Sequence, residues 1–152
     1  MYSFLLLLHS WIRWAAVIGG IGATVAALVG RQSVTAPDSV DRWGLIFLIA
    51  MDLQLLLGLA LYFVFSPTTA AIRANFGASM SDPVARFWAV EHVGTMLVAV
   101  VLVHVGRVLG RKAPTPGAKR TRLLLCFAIA TLAMLAATPW PGMVSGRPLF
   151  RL

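Results

Sequence analysis

Four apolar stretches, each long enough to cross a bilayer, occupy most of this chain and constrain its fold more than any other feature. They cover about residues 3–30, 43–65, 84–108 and 121–137. A helix rises 1.5 Å per residue, so a stretch of about 17 residues or more can cross a hydrocarbon layer of roughly 30 Å. Because lipid offers no water to backbone N–H and C=O groups, each stretch is predicted to be helical.

The four stretches predict one all-α domain over residues 1–152, an integral membrane four-helix up-and-down bundle. Only 12% of the residues are charged, against roughly 25% in a typical soluble domain, which supports the membrane assignment. The N-terminus lacks both the basic start and the small-residue cleavage site of a secretory signal. The first stretch is therefore expected to be retained as a helix.

The basic residues are distributed unevenly between the two sides of the predicted bundle. One side holds the first and third connecting segments, with Arg31, Arg42, Arg107, Arg111, Lys112, Lys119, Arg120 and Arg122. The opposite side holds Arg73, Arg86, Arg147 and Arg151. The positive-inside rule then predicts both termini on the outer, periplasmic side of a bacterial inner membrane. The basic residues do not form a patch with interleaved aromatics, so membrane lipid is expected as a partner and nucleic acid is not.

Six polar residues inside the apolar stretches are informative, because ionisable groups in lipid are costly and mark functional sites. They are His9, Arg13, Asp52, Gln54, Glu91 and His92. Counted from the outer ends of the first and third helices, His9 and His92 both lie roughly 9–12 Å deep. Two histidines at matching depth on parallel helices can ligate a haem iron from opposite faces, at about 2 Å each. Alternatively, each histidine hydrogen-bonds a neighbour independently.

A haem in this chain is expected to be a single haem b without thioether bonds. The chain has one cysteine, Cys126, and no Cys-x-x-Cys-His sequence for covalent attachment. The third histidine, His104, follows His92 by twelve residues, which places it about 18 Å deeper and about 120° around the helix. His104 is therefore predicted to be a structural residue and not a second haem ligand.

The remaining polar residues have two interpretations each. Arg13 is expected to face the bundle interior, where Glu91, Asp52 or the haem propionates are its candidate partners. A plain Arg–carboxylate pair between helices is the alternative. Gln54 is predicted to line a haem or quinone pocket, and a hydrogen bond from its amide to another helix is the alternative. The small residues that follow His9 at helical spacing either leave room for a macrocycle or permit close helix packing.

Several pieces of the sequence resemble a family of small bacterial four-helix membrane proteins called "cytochrome b". The pieces are "LHSWIRW", "LQLLLGLALYF", "FWAVEHVGTM" with a later "GR", and the final "PWP". By position, the resemblance implies His9 and His92 as haem ligands, with Arg13 and Glu91 as supporting groups. The chain is also loosely similar to cytochrome b561-type proteins. It departs from their pattern because three histidines cannot supply two bis-histidine sites.

Three functions compete at this point. The first is a one-haem membrane cytochrome that transfers electrons near the periplasmic face, with a quinone as the candidate redox partner. As such, the chain would be an electron-transfer protein more than a stand-alone enzyme. The second is a non-catalytic subunit of a respiratory or photosynthetic complex, held by other membrane subunits or by further copies of itself. The third is a small transporter or proton channel, although no Gly/Pro pair interrupts the middle of a stretch.

Overall fold

The computed structural model describes residues 1–150, and all regular structure within this range is helical. The six helices are α1 (Tyr2–Val29), α2 (Ser39–Phe65), α3 (Pro67–Ala74), α4 (Phe76–Ser79), α5 (Pro83–Arg111) and α6 (Pro116–Ala136). The four long helices coincide with the four apolar stretches. Arg151, counted above among the basic residues, lies outside the described range.

Three of the helices are long and apolar enough to cross a membrane: α1, α2 and α5, with 28, 27 and 29 residues. This confirms the prediction of an all-α integral membrane protein at the level of helix length and composition. The fourth long helix differs, because its first two turns carry Lys119, Arg120 and Arg122 before the apolar residues begin at Leu123.

Capping side chains define where three of the four long helices begin. At the start of α2, Asp38 and Asp41 form a capping box, in which each carboxylate accepts a hydrogen bond of 3.2 Å from the other residue's backbone N–H. Asp82 accepts from the N–H of Ala85 at the start of α5, and Thr115 accepts from the N–H of Ala118 at the start of α6. These caps satisfy backbone donors that a helix leaves without a partner at its first turn.

A buried ion cluster joins the starts of α2 and α6. Lys119 Nζ donates to Asp38 Oδ2 at 3.0 Å, to Asp41 Oδ2 at 2.6 Å and to the carbonyl of Ser33 at 2.6 Å. Partial burial raises the pKa of Asp38, but hydrogen bonds from Ser33 N–H and Lys119 outweigh it and leave the pKa below its ordinary value. For Lys119, burial lowers the pKa, and the two carboxylates outweigh it and leave the pKa raised.

The four long helices pack in a ring, with α1 and α5 each lying mainly against α2 and α6. Glycines permit the closest approaches. A Cβ on Gly19 would lie 3.0 Å from the Cα of Phe47, and one on Gly20 would lie 2.7 Å from Thr131 Oγ1. The core centres on an edge-to-face pair, Phe47 and Phe127, with ring centroids 6.1 Å apart. The small residues after His9 therefore serve close packing between helices.

Two irregular features occur at the same end of the helix ring. α2 ends in a π-helical turn, Leu61–Phe65, and α5 contains another, Phe87–Glu91, directly before His92. Beyond α6 the chain folds back over this end, where Phe150 stacks on Trp14 with ring centroids 5.3 Å apart. Because π-helical turns often occur at functional sites, this end of the molecule is the place to look for one.

Candidate cofactor site

A cavity of about 160 Å³ opens between α1, α2, α5 and the segment that follows α6. Four of the five predicted site residues line it: His9, Arg13, Gln54 and His92. Glu91 is not among the lining residues. The other side chains around the cavity are mostly apolar, including Leu6, Leu55, Met96 and Val100 on three different helices. The structure thus brings most of the predicted site together in one place.

The imidazole rings of His9 and His92 face each other across part of this cavity. Their centroids are 6.5 Å apart, and the ring planes form an angle of 70°. Two imidazoles on opposite sides of one metal ion, with metal–nitrogen bonds of about 2 Å, have centroids roughly 6 Å apart. The observed separation therefore suits two axial ligands of one metal ion and is too long for a direct hydrogen bond between the rings.

The orientation of His92 is set by a carbonyl group at the end of α6. His92 Nδ1 lies 2.8 Å from the oxygen of Ala137. A carbonyl oxygen can only accept, so Nδ1–H donates and Nε2 of a neutral ring keeps its lone pair. Metal-binding histidines commonly donate their second nitrogen to a carbonyl in this way. The rings of Phe87 and Trp88, with centroids 5.7 Å and 5.5 Å from that of His92, restrict its movement further.

A glycine on α2 makes room for His9. A Cβ on Gly58 would lie 3.4 Å from His9 Cε1 and 3.9 Å from His9 Nδ1, which means that this edge of the ring rests against the α2 backbone. A longer side chain at this position would occupy the space of the imidazole. Gly58 lies at helical spacing along α2 with Met51, Gln54 and Tyr62, and all four residues line the cavity.

Two residues that line the cavity have buried polar atoms without a hydrogen-bond partner within residues 1–150. These atoms are Gln54 Oε1 and Trp88 Nε1. Buried polar groups in proteins are nearly always hydrogen-bonded, so such atoms clustered around one cavity call for an explanation. A ligand with polar groups is one explanation, and Gln54 Oε1 accepts no hydrogen bond from another helix within the described residues.

Two arginines line the cavity beside the folded-back C-terminal segment. Arg13 Nη2 donates to the carbonyl of Leu149 at 2.6 Å. The guanidinium of Arg147 lies 5.1 Å from the ring centroid of Trp88, in cation–π geometry. Sequence reasoning missed Arg147 as a site residue. No helical spacing connects it to the histidines, and only the reversal of the chain after Pro139 brings it there.

The two carboxylates proposed as partners of Arg13 form other pairs. Glu91 Oε1 lies 2.7 Å from Nε of Arg86, and the Glu91 side chain is 46% exposed. Asp52 Oδ1 lies 3.5 Å from Nε2 of His104. The predicted pairing of Arg13 with Glu91 or Asp52 is therefore wrong, because each carboxylate has a basic side chain nearer to it.

His104 lies outside the cavity, and its Nδ1 is 3.1 Å from the carbonyl oxygen of Val100, one turn earlier on the same helix. This local contact agrees with the structural role that the sequence suggested for it.

Comparisons of the chain with protein-family models, curated proteins and solved structures find no significant match.

Proposed function

We propose that the chain is a b-type membrane cytochrome that holds one haem non-covalently between His9 and His92. The 6.5 Å separation of the two ring centroids carries this proposal. The buried polar atoms without partners and the mixed apolar and cationic lining of the cavity support it. The resemblance of the sequence to small bacterial cytochrome b proteins points in the same direction.

Each side chain has a role that follows from its place in the cavity. The haem iron would be held by Nε2 of His92, opposite the Nδ1 that faces Ala137, and by the imidazole of His9. Arg13 and Arg147 supply positive charge suited to the two propionate carboxylates of a haem. Apolar side chains exclude water, which stabilises the less charged form of a bound group. When bound, haem supplies one-electron redox chemistry at its iron.

The proposed electron partner is a quinone, because the cavity lies among apolar helices where a lipid-soluble carrier can approach. The sequence motif of Glu91 suggests a supporting role for that residue, but its ion pair with Arg86 places it on the surface beside the site. An effect of Glu91 on the haem would then act through the position of the neighbouring His92.

The proposed location is a bacterial inner membrane. The chain would cross it four times in an up-and-down bundle, with both termini in the periplasm. The basic residues support this topology. Arg107 donates to the carbonyl of Asp41 at 2.7 Å, which puts the end of α5 beside the start of α2. Lys119 of α6 reaches the same point. The most basic segments therefore gather at one end of the helices, as the positive-inside rule requires of the cytoplasmic end.

The test is a reduced-minus-oxidised absorption spectrum of the purified protein, with haem supplied during expression. We expect a b-type α band, which His9→Ala and His92→Ala each abolish. His104→Ala is the matched control, because it removes a histidine that lies outside the cavity, and it should retain the band. Circular dichroism establishes that all three variants remain helical. A helical protein that shows no b-type α band, even after titration with hemin, would contradict the proposal.

A further inference from the structure

An ion pair lies half exposed on the apolar surface of the helices. The side chains of Asp52 on α2 and His104 on α5 are 40% and 48% exposed, respectively. Asp52 is the central residue of α2, Ser39–Phe65, which is one of the membrane-crossing helices. A carboxylate at the middle of such a helix is among the costliest groups to leave in contact with lipid.

The pairing within one chain does not satisfy these groups. The distance of 3.5 Å from His104 Nε2 to Asp52 Oδ1 exceeds the usual range for a hydrogen bond. No other side chain or backbone donor in residues 1–150 hydrogen-bonds to Asp52. Polar groups inside a membrane almost always face protein or a water-filled cavity. Another protein surface is therefore expected to cover this pair.

The surroundings of the pair form a continuous apolar surface across two helices. Ile49 and Leu56 lie one turn on either side of Asp52 along α2, and Val101 and Val108 flank His104 in the same way along α5. All four residues are exposed. We call these six residues the Asp52–His104 face; they are Ile49, Asp52, Leu56, Val101, His104 and Val108.

We propose that the Asp52–His104 face binds a second copy of this chain across a two-fold axis perpendicular to the membrane. The face carries an acidic and a basic group at the same depth, so it is complementary to itself. Rotation by 180° about such an axis preserves depth and can place Asp52 of one copy beside His104 of the other. The dimer then contains two such pairs, each shielded from lipid by apolar side chains of both copies.

The test measures energy transfer between donor- and acceptor-labelled copies in liposomes. The dyes are attached at an exposed loop position, Ala36→Cys, in a Cys126→Ala background. We expect energy transfer that falls as lipid dilutes the protein, as a reversible dimer requires. Asp52→Leu and His104→Leu should each raise the dissociation constant roughly tenfold, since polar contacts between membrane helices contribute a factor of about three each.

Mixing the two single variants separates pairing between copies from pairing within one copy. A copy with Asp52→Leu still has His104, and a copy with His104→Leu still has Asp52. The mixed dimer keeps one pair between copies, whereas neither variant alone keeps any. We expect the mixture to associate about threefold more tightly than either variant with itself. Equal association in all three cases would show that the pair does not form between copies.

A bulky substitution provides the matched control for the position of the interface. Val101→Trp adds a large side chain to the face one turn from His104, and Ile129→Trp adds the same side chain to an exposed position on α6. The two residues are similarly exposed, at 57% and 51%. We expect Val101→Trp to abolish energy transfer and Ile129→Trp to leave it unchanged.

Three further results would also overturn the proposal. The wild type could show no energy transfer above that of a non-associating membrane protein. The two tryptophan variants could weaken energy transfer equally, which would place the interface elsewhere. The protein could instead purify with a different membrane protein that Val101→Trp releases, which would make the occupant a foreign subunit. The absorption spectrum of Val101→Trp is recorded as well, because dimerisation and haem binding are independent of each other.

Discussion

His92 on α5 is hydrogen-bonded through Nδ1 to the carbonyl oxygen of Ala137, 45 residues later in the chain and 2.8 Å away. This bond links the proposed ligand to the point where α6 ends. The turn after Ala137 then leads to Arg147, which lies over Trp88, the ring beside His92. The end of α6 therefore determines both the orientation of the imidazole and the position of a cation beside the same cavity.

The size of the side chain at position 58 should control haem binding. Gly58→Ala adds one methyl group, 3.4 Å from His9 Cε1, and should be tolerated. Gly58→Leu should displace the imidazole. An overpacking cost of about 1–3 kcal/mol corresponds to a haem affinity roughly 5- to 150-fold lower. Hemin titration followed by absorption measures the affinity. Gly94→Leu is the control, since a Cβ there meets no atom within 4 Å, and it should bind haem normally.

Arg147 should contribute to haem affinity through its charge. Replacing it with glutamine keeps most of its length and removes the cation that faces the cavity. We expect haem affinity to fall roughly tenfold or more, as is typical when a hydrogen bond to a charged group is lost. Arg86→Gln removes an equivalent charge that pairs with Glu91 outside the cavity, and it should bind haem with nearly unchanged affinity. Equal affinities for both variants would show that Arg147 does not contact the haem.

Packing of the Phe127 ring against α2 should depend on Gly44. A Cβ at this position would lie 2.7 Å from Cζ of Phe127, and this ring is fully buried and has no space to move into. Gly44→Ala should therefore destabilise the protein by about 1–3 kcal/mol. Thermal unfolding in detergent, followed by circular dichroism, measures the effect. Gly94→Ala should be neutral or slightly stabilising, because alanine favours the helix and meets no neighbour there.

The Lys119 cluster should make stability depend on pH at both extremes. The pKa of Asp38 is lowered, so its contribution is complete above its ordinary value of 3.8 and is lost as pH falls through the folded-state pKa. The pKa of Lys119 is raised, so its contribution is complete below its ordinary value of 10.5 and is lost as pH rises through the folded-state pKa. Melting temperatures against pH should therefore show a plateau between about pH 4 and pH 10.

Removing the lysine tests the same cluster directly. Lys119→Met keeps the apolar stem and leaves two partly buried carboxylates without their cation, which should cost roughly 3 kcal/mol near neutral pH. In this variant the loss of stability at high pH should disappear and the loss at low pH should shrink. Arg122→Met is the control, because Arg122 is a half-buried basic residue of the same helix that donates only to backbone carbonyls. If both variants kept the wild-type pH profile, the Lys119 cluster would not be the cause of the pH dependence of stability.

The sequence alone determined the helices and the depth of the residues within them. Long apolar stretches in lipid leave the backbone no alternative to the helix, so the all-α class followed from composition. The fixed rise per residue then gave His9 and His92 matching depths, and the structure brings these two side chains together. The same rise per residue placed His104 at a different depth from His9 and His92.

Only the tertiary structure decided which side chains meet around the helices and where the irregular segments lie. Glu91 pairs with Arg86, and Asp52 pairs with His104, so neither carboxylate pairs with Arg13. Which side chains of different helices meet depends on the rotation of each helix about its axis. That rotation is set by packing such as that of Gly19 against Phe47, which the sequence of one helix does not encode. Arg147 reaches the site through a chain reversal with no helical period, and the carbonyl of Ala137 reaches it where α6 ends. Their positions follow from tertiary packing. The depth of a residue depends only on its own helix, whereas a contact between helices depends on how several helices pack together.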